Sequence, residues 1–266
     1  MEAKGCSSKG MTTDFPVQSV LVTGSNSGIG LGLVKQFLRL PTPPQWVFAT
    51  TLDMDGPKSK EIKELACQHQ NLVVLQLDVT DLQSIKAAVE QVQRCVGECG
   101  LNLLMNNAAV RTGYDLEKEN AKDMADIYAV NTIGPLQAFL PLLKMAAQRY
   151  PLEGLSCCKA AIINTSSAAG SMEVMAIWDT KKIVAYRCSK AALNMLTKCQ
   201  SLTYPAYGIL CVCIHPGYVK TQGNPEANLT VEESTQGIIN VLSTLSEVDN
   251  GTFVDWEGRR VPWNYV

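Results

Sequence analysis

Seven short apolar runs alternate along this chain with longer segments of helical spacing, and that alternation restricts the fold more than any other feature. The runs cover residues 19–22, 46–50, 72–77, 101–105, 160–164, 210–214 and 252–254. A strand covered on both faces reads as a brief continuous apolar run, whereas a strand with one wet face alternates. The clearest helix spans 81–96, where Leu82, Ile85, Val89, Val92 and Val96 recur at steps of three and four to form one stripe. Asp81, preceded by Thr80, is its start signal. Strand, helix, strand repeated this often predicts an α/β fold: a doubly wound, mostly parallel seven-stranded sheet with helices on both faces, of Rossmann type. Right-handed crossovers let each helix pack back on the strands it joins. The prolines of PTPPQ, residues 41–45, stop the first helix and make the loop before the second strand.

With 266 residues, 46% of them apolar, the chain can bury one sizeable core. We expect a flexible extension at 1–16 and a single domain over 17–266. The formal net charge of −2, with no basic block, argues against a nucleic-acid partner. No apolar run approaches the ~18 residues of a membrane helix, since Pro141 and Lys144 interrupt the best stretch at 136–147. The opening MEAKGCSSKGMTTDF has no apolar segment resembling a secretion signal, so the expectation is a soluble cytoplasmic protein. Ten cysteines without such a signal read as reduced thiols. Their spacing repeats no zinc pattern and there are two histidines, His69 and His215, so no metal is expected.

The turn TGSNSGIG, residues 23–30, directly follows the first run and opens a helical segment. In a doubly wound sheet this turn lies where ligands bind beyond the carboxyl ends of the strands. Gly24 permits a tight turn, Gly28 a close backbone approach to a phosphate, and Gly30 close contact between helix and strand. The first helical turn then offers free N–H groups and a positive dipole end to a diphosphate. Further on, YRCSK places Tyr186 and Lys190 four apart at the start of a helical run, hence on one helical face. An ammonium about 4–6 Å away favours a phenolate; bringing the phenol near neutrality takes roughly 4 kcal/mol of differential stabilisation. Such a tyrosine passes a proton at physiological pH.

TGSNSGIG, LDVT at 77–80, NNAA at 106–109, Asn131, INTSSAAG at 163–170, YRCSK and HPGYVKT at 215–221 follow one another in a telling order. In that order and spacing the chain resembles the short-chain dehydrogenases/reductases over essentially its whole length. Within them it looks most like the carbonyl reductases of the sniffer and C-factor type. The resemblance implies hydride transfer between a nicotinamide and a small carbonyl or alcohol. It assigns Ser167 to hydrogen-bond the substrate oxygen, with Ser166 the competing choice, and Tyr186 to give that oxygen its proton. Lys190 is implied to tune the phenol and hold the nicotinamide ribose, and Asn131 to position a water leading protons to the lysine. The cofactor falls to Gly24, Ser25, Asn26, Ser27, Gly28, Ile29 and Gly30. Asp78 and Val79 take the adenine; Asn106, Asn107 and Ala108 line the cleft. Pro216, Gly217, Val219 and Thr221 cover the nicotinamide. His215 reads as a packed residue before a proline, and Ala109 stands where the family usually has glycine.

Dinucleotide choice depends on the charge at the end of the second strand. Here Thr51 holds the usual acidic position, Leu52 the usual arginine position and Ser27 the other basic one, with Asp53 beyond. Thr51 does not repel a 2′-phosphate, so NADP(H) is the expected cofactor and NAD(H) the alternative. The apolar stretch SMEVMAIWDTKKIVA, with Met172, Met175 and Trp178, either walls a substrate pocket or packs on its own body. The segment 222–229 is short for a lid and implies weak discrimination among carbonyls. Cys188, two residues from both Tyr186 and Lys190, points off the catalytic face. The helical stretches 127–143 and 191–202 match those the family uses for homodimers; the alternative is that their apolar stripes are consumed by the monomer's own core. The rival to an enzyme is a dinucleotide-binding signalling or regulatory protein with little turnover.

Overall fold

A computed structural model describes residues 15–112, 114–134, 138–149, 154–175, 178–179 and 181–263. The strands are β1 (Ser19–Val22), β2 (Trp46–Thr51), β3 (Leu72–Gln76), β4 (Leu103–Asn106), β5 (Ala161–Thr165), β6 (Leu210–His215) and β7 (Phe253–Asp255). They form one seven-stranded sheet in the order β3-β2-β1-β4-β5-β6-β7, with every neighbouring pair parallel. Among the described residues seven α-helices accompany them: α1 (Gly28–Leu38), α2 (Lys60–Gln68), α3 (Leu82–Val96), α4 (Ala121–Tyr128), α5 (Leu140–Arg149), α6 (Val184–Thr203) and α7 (Val231–Thr244). The chain reverses direction across the sheet between β1 and β4, which opens a crevice at their carboxyl ends.

The strands show why the sequence read as continuous apolar runs. Val20 and Val22 belong to one buried cluster with α1 and α7, while Leu21 between them belongs to the other, with α3 and α5. The register carries that second row across the sheet: Leu21 pairs with Phe48 and Leu104, Leu104 with Ile162, and Ile162 with Cys211. Both faces are dry, so period-two alternation never develops.

Asp81 caps α3, accepting from the Gln83 and Ser84 N–H groups, and Ile85, Ala88, Val92 and Val96 bury the helix. Leu82, expected in that stripe, is 71% exposed because it occupies the first residue of α3, beyond the edge of the apolar face. The packed body starts earlier than residue 17: Phe15 is buried and its ring lies 6.2 Å from that of Phe37. Residues 1–14 of the expected extension lie outside the described residues. The expected helix 127–143 is not continuous. It runs from α4 into a π-helical turn, Ala129–Ile133, and helix resumes at Leu140; residues 135–137 lie outside the described ones.

Candidate active site

The glycines of the first turn are spent on contacts no side chain allows. Gly24 has φ +65°, and a Cβ there would stand 2.8 Å from the Ala108 Cα. At Gly30 a Cβ would meet the Gly24 carbonyl oxygen at 2.2 Å and Asn107 Nδ2 at 2.6 Å, so the helix sits directly on the turn. Ser27 is the N-cap of α1 without a side-chain cap, and no acidic residue lies in the first turn. The first-turn N–H groups and the positive helix end are thus left for an external anion. Asn26, Ser27, Ile29 and Gly30 face a cleft of about 560 Å³. This uncapped turn, with its backbone brought close by glycine, fits a dinucleotide diphosphate.

Two residues of the turn do other work. Ser25 is fully buried; its hydroxyl donates to the Val22 carbonyl at 2.5 Å and accepts from the Thr50 N–H at 3.3 Å, which locks the turn to β2. Gly28 does not line the cleft; with φ +54° it starts α1, and a Cβ there would meet the Thr221 methyl at 3.5 Å. Thr51, expected at the ribose end, is likewise turned inward. Its hydroxyl lies 2.8 Å from that of Ser59 and donates to the Asp53 carbonyl at 3.1 Å, while Leu52 occupies the cleft rim at 62% exposure. The reason is strand parity: successive side chains point to opposite faces, so Thr51 and Leu52 cannot both face the ligand.

Asp78 and Val79, after β3, line the cleft, with the Asp78 carboxylate held by the Thr80 N–H at 2.8 Å and hydroxyl at 2.6 Å. Asn107 and Ala108 line it beyond β4, whereas the Asn106 amide donates instead to Asn164 Oδ1. What aligns the β4 end is Thr23, which sequence reading passed over. Its buried hydroxyl accepts from the N–H groups of both Asn107 and Ala108 at 2.9 Å. A threonine at the carboxyl end of β1, facing a pair of asparagines, was the available signal.

Tyr186, Lys190, Ser167 and the glycine turn all border the same cleft. Tyr186 and Lys190 fall one turn apart on α6, with the ammonium 5.7 Å from the phenol ring centroid. Lys190 is buried and donates to the Thr165 carbonyl at 2.7 Å; burial lowers its pKa to about 8. The Tyr186 phenol shifts in the opposite direction. Burial raises its pKa above the ordinary value, opposed by the hydrogen bond with Ser167 and the charge of Arg111. The ammonium donates to the Thr165 carbonyl while standing 5.7 Å from the phenol ring centroid.

The two serines separate cleanly. Ser167 caps a short turn, accepting from the Ala169 N–H at 3.2 Å, and lies close enough to Tyr186 to oppose the rise of its pKa. Ser166 is buried with its hydroxyl donating to Asn194 Oδ1 at 2.5 Å, inside the packing of α6. The Asn131 amide accepts from the Val110 N–H and donates to the Val110 carbonyl, both at 2.9 Å, and donates to the Ser189 hydroxyl at 3.0 Å. Its side chain is therefore a clasp between the loop after β4 and α6, one turn from the reactive pair.

Pro216, Gly217, Val219 and Thr221 line the cleft after β6, and Gly217 adopts φ +87° under the Trp256 ring. His215 is half-buried at the cleft wall, and desolvation lowers its pKa to about 4, which favours the neutral imidazole. Of the described residues in the stretch 171–185, Ile183 alone lines the cleft; it holds φ +39° at the start of α6. Ser171 instead donates to the Pro262 carbonyl and the Met172 N–H to the Trp263 carbonyl, so the stretch begins by packing on the C-terminal segment. Ala176, Ile177 and Thr180 lie outside the described residues. Cys188 is exposed. Arg111, which no motif signalled, lines the cleft from the loop after β4.

A family model described as short chain dehydrogenase matches residues 18–232. An NADPH-bound carbonyl reductase from chicken fatty liver is 50% identical, with a TM-score of 0.92 over 95% of this chain and 96% of that one. The carbonyl reductase Sniffer of Drosophila melanogaster is 37% identical, with a TM-score of 0.88 over 93% of this chain and 100% of its own. A short-chain dehydrogenase of Neurospora crassa, srdF, is 30% identical over 261 residues, 92% of this chain and 97% of its own.

Proposed function

We propose, because the chain belongs to the short-chain dehydrogenase family, that it is an NADP(H)-dependent carbonyl reductase acting on small aldehydes or ketones. As a member of that family it is an NAD(P)-dependent oxidoreductase. The observation carrying the proposal is that Tyr186, Lys190 and Ser167 border the one cleft that the uncapped turn of α1 also borders. NADP(H) is supported by the NADPH carried by the chicken reductase at 50% identity. Asn26, Ser27, Ile29 and Gly30 would hold the diphosphate, Asp78 and Val79 the adenine, and Lys190 the nicotinamide ribose. When bound, the reduced nicotinamide supplies a hydride.

The chain's own groups handle the substrate oxygen. Ser167 donates a hydrogen bond to it, and Tyr186, held at the same end of the cleft, gives it a proton. A phenol above its ordinary pKa stays protonated at physiological pH, ready for the direction of carbonyl reduction. Lys190, fixed by the Thr165 carbonyl, keeps positive charge close to that proton. Asn131 is a positioning residue, its clasp on Val110 and Ser189 holding the wall of the site.

NADPH oxidation with a panel of small carbonyls tests the reading. Tyr186→Phe is expected to lower turnover by about a hundredfold or more while NADPH binding is retained. Negligible turnover in wild type and variant alike, despite tight NADPH binding, would favour the regulatory alternative instead. A cytoplasmic homodimer belongs to the same proposal. It is supported by exposed Ile133, Met195 and Leu202 on the π-turn and α6, and it is checked by light scattering and cell fractionation. No helix among the described residues is long and apolar enough to cross a membrane.

A further inference from the structure

The cleft is charged unevenly. Of the described residues that line it, Asp78 is the sole carboxylate and stands just beyond β3. The end holding Tyr186 carries two cations, Lys190 and Arg111. Lys190 is absorbed by the reaction already proposed; Arg111 is not. Its guanidinium donates to the Gly223 carbonyl and to Asn224 Oδ1, so it spans from the loop after β4 to the loop after β6. Both acceptors are neutral. Among the described residues no carboxylate forms an ion pair with Arg111, although Lys181 nearby, which also reaches Asn224, is matched by Glu226.

A half-buried cation costs desolvation, and in an ordinary core it is offset by a carboxylate. Two neutral acceptors fix the plane of the guanidinium and leave its charge and remaining N–H groups available. A guanidinium so held offers a planar fork suited to carboxylate or phosphate oxygens. We infer that Arg111 is an anion-recognising residue of this cleft, engaging either the diphosphate of the dinucleotide or a carboxylate on the carbonyl substrate. The effect of its charge on the Tyr186 phenol places it at the reacting end. The substrate half of this inference rests on the proposed reductase activity; the cofactor half does not.

Arg111→Gln removes the charge but keeps a donor for Gly223 or Asn224, and Arg111→Lys keeps the charge. Two measurements separate the sources: NADPH affinity by quenching of tryptophan fluorescence, and kcat/KM for 4-carboxybenzaldehyde against its methyl ester. The expectation is that Arg111→Gln weakens one of them by about tenfold or more, as loss of a charge-assisted bond implies, with Arg111→Lys largely restoring it. Weaker NADPH binding with an unchanged acid-to-ester ratio assigns the diphosphate. A fall confined to the carboxylated aldehyde assigns the substrate. If Arg111→Gln leaves both within about twofold of wild type, the inference is overturned. If the wild type reduces no carbonyl at all, the reductase reading fails, and NADPH affinity alone decides the role of Arg111.

Discussion

Ser166 and Ser167 are neighbours with opposite duties. Ser167 reaches the phenol, so Ser167→Ala is expected to lower kcat by about a hundredfold, the loss typical of one donor to a developing oxyanion, while the melting temperature barely moves. Ser166→Ala leaves the buried Asn194 Oδ1 without its partner, which costs about 1–3 kcal/mol of stability and leaves kcat within a few-fold. Steady-state kinetics and thermal melts of the pair check this, and the reverse pattern would exchange the two roles. That Tyr186, Lys190, Asp78, Gly24 and Gly30 gather at one cleft was legible from motif order, whereas Gly28 falls outside it. The side-chain duties of Ser25, Thr51 and Asn131 were not, because a motif marks a position on the chain while parity and hydrogen-bond partners decide which way the atom points. Arg111 was illegible for another reason: its place on the cleft and its two neutral acceptors, Gly223 and Asn224, come together only in space, which no local pattern encodes.

At the scale of elements, the seat of α1 on the glycine turn is the tightest joint in the molecule's site. Gly30→Ala would push a methyl into the Gly24 carbonyl and the Asn107 amide, backbone and clamp at once. We expect a loss of about 1–3 kcal/mol or more in urea unfolding and a larger proportional loss of NADPH affinity. Unchanged NADPH binding in this variant would mean that the turn does not hold the cofactor. The seven-stranded parallel sheet came through in the sequence because the central strands are buried on both faces and read as short apolar runs between helical segments, whereas the strand order itself was not legible. The boundaries of β4 and β5 shifted by one or two residues, and the break after α4 escaped notice. A π-turn keeps the same apolar composition as the helix it interrupts, so only backbone hydrogen bonds reveal it.

For the molecule as a whole, the buried Lys190 leaves a pH signature. Its pKa is about 8 in the folded chain against 10.5 in the open one, so between those values the unfolded state binds more protons and stability rises with pH. Below about 8 both states are charged and the burial cost is present in full. The buried thiols of Cys211 and Cys213 act oppositely: pushed up to about 12 by desolvation, they favour unfolding as the open chain's thiols ionise above 9.0. Comparing urea midpoints of wild type and Lys190→Met isolates the lysine. The wild type should gain on the variant from about pH 7 to about pH 9, and a constant difference would mean that Lys190 is not held against its charge. Apart from Val130 of the π-turn, the described residues that line the cleft come from segments at or beyond a strand's carboxyl end, from the first turn of α1 or from the first two turns of α6, while the sheet beneath supplies a rigid frame. The chemistry of such a molecule is a set of exchangeable tips on a fixed frame. Transplanting the stretch after β6 from one relative to another is then a route to new preferences that leaves the sheet and its buried clusters unaltered.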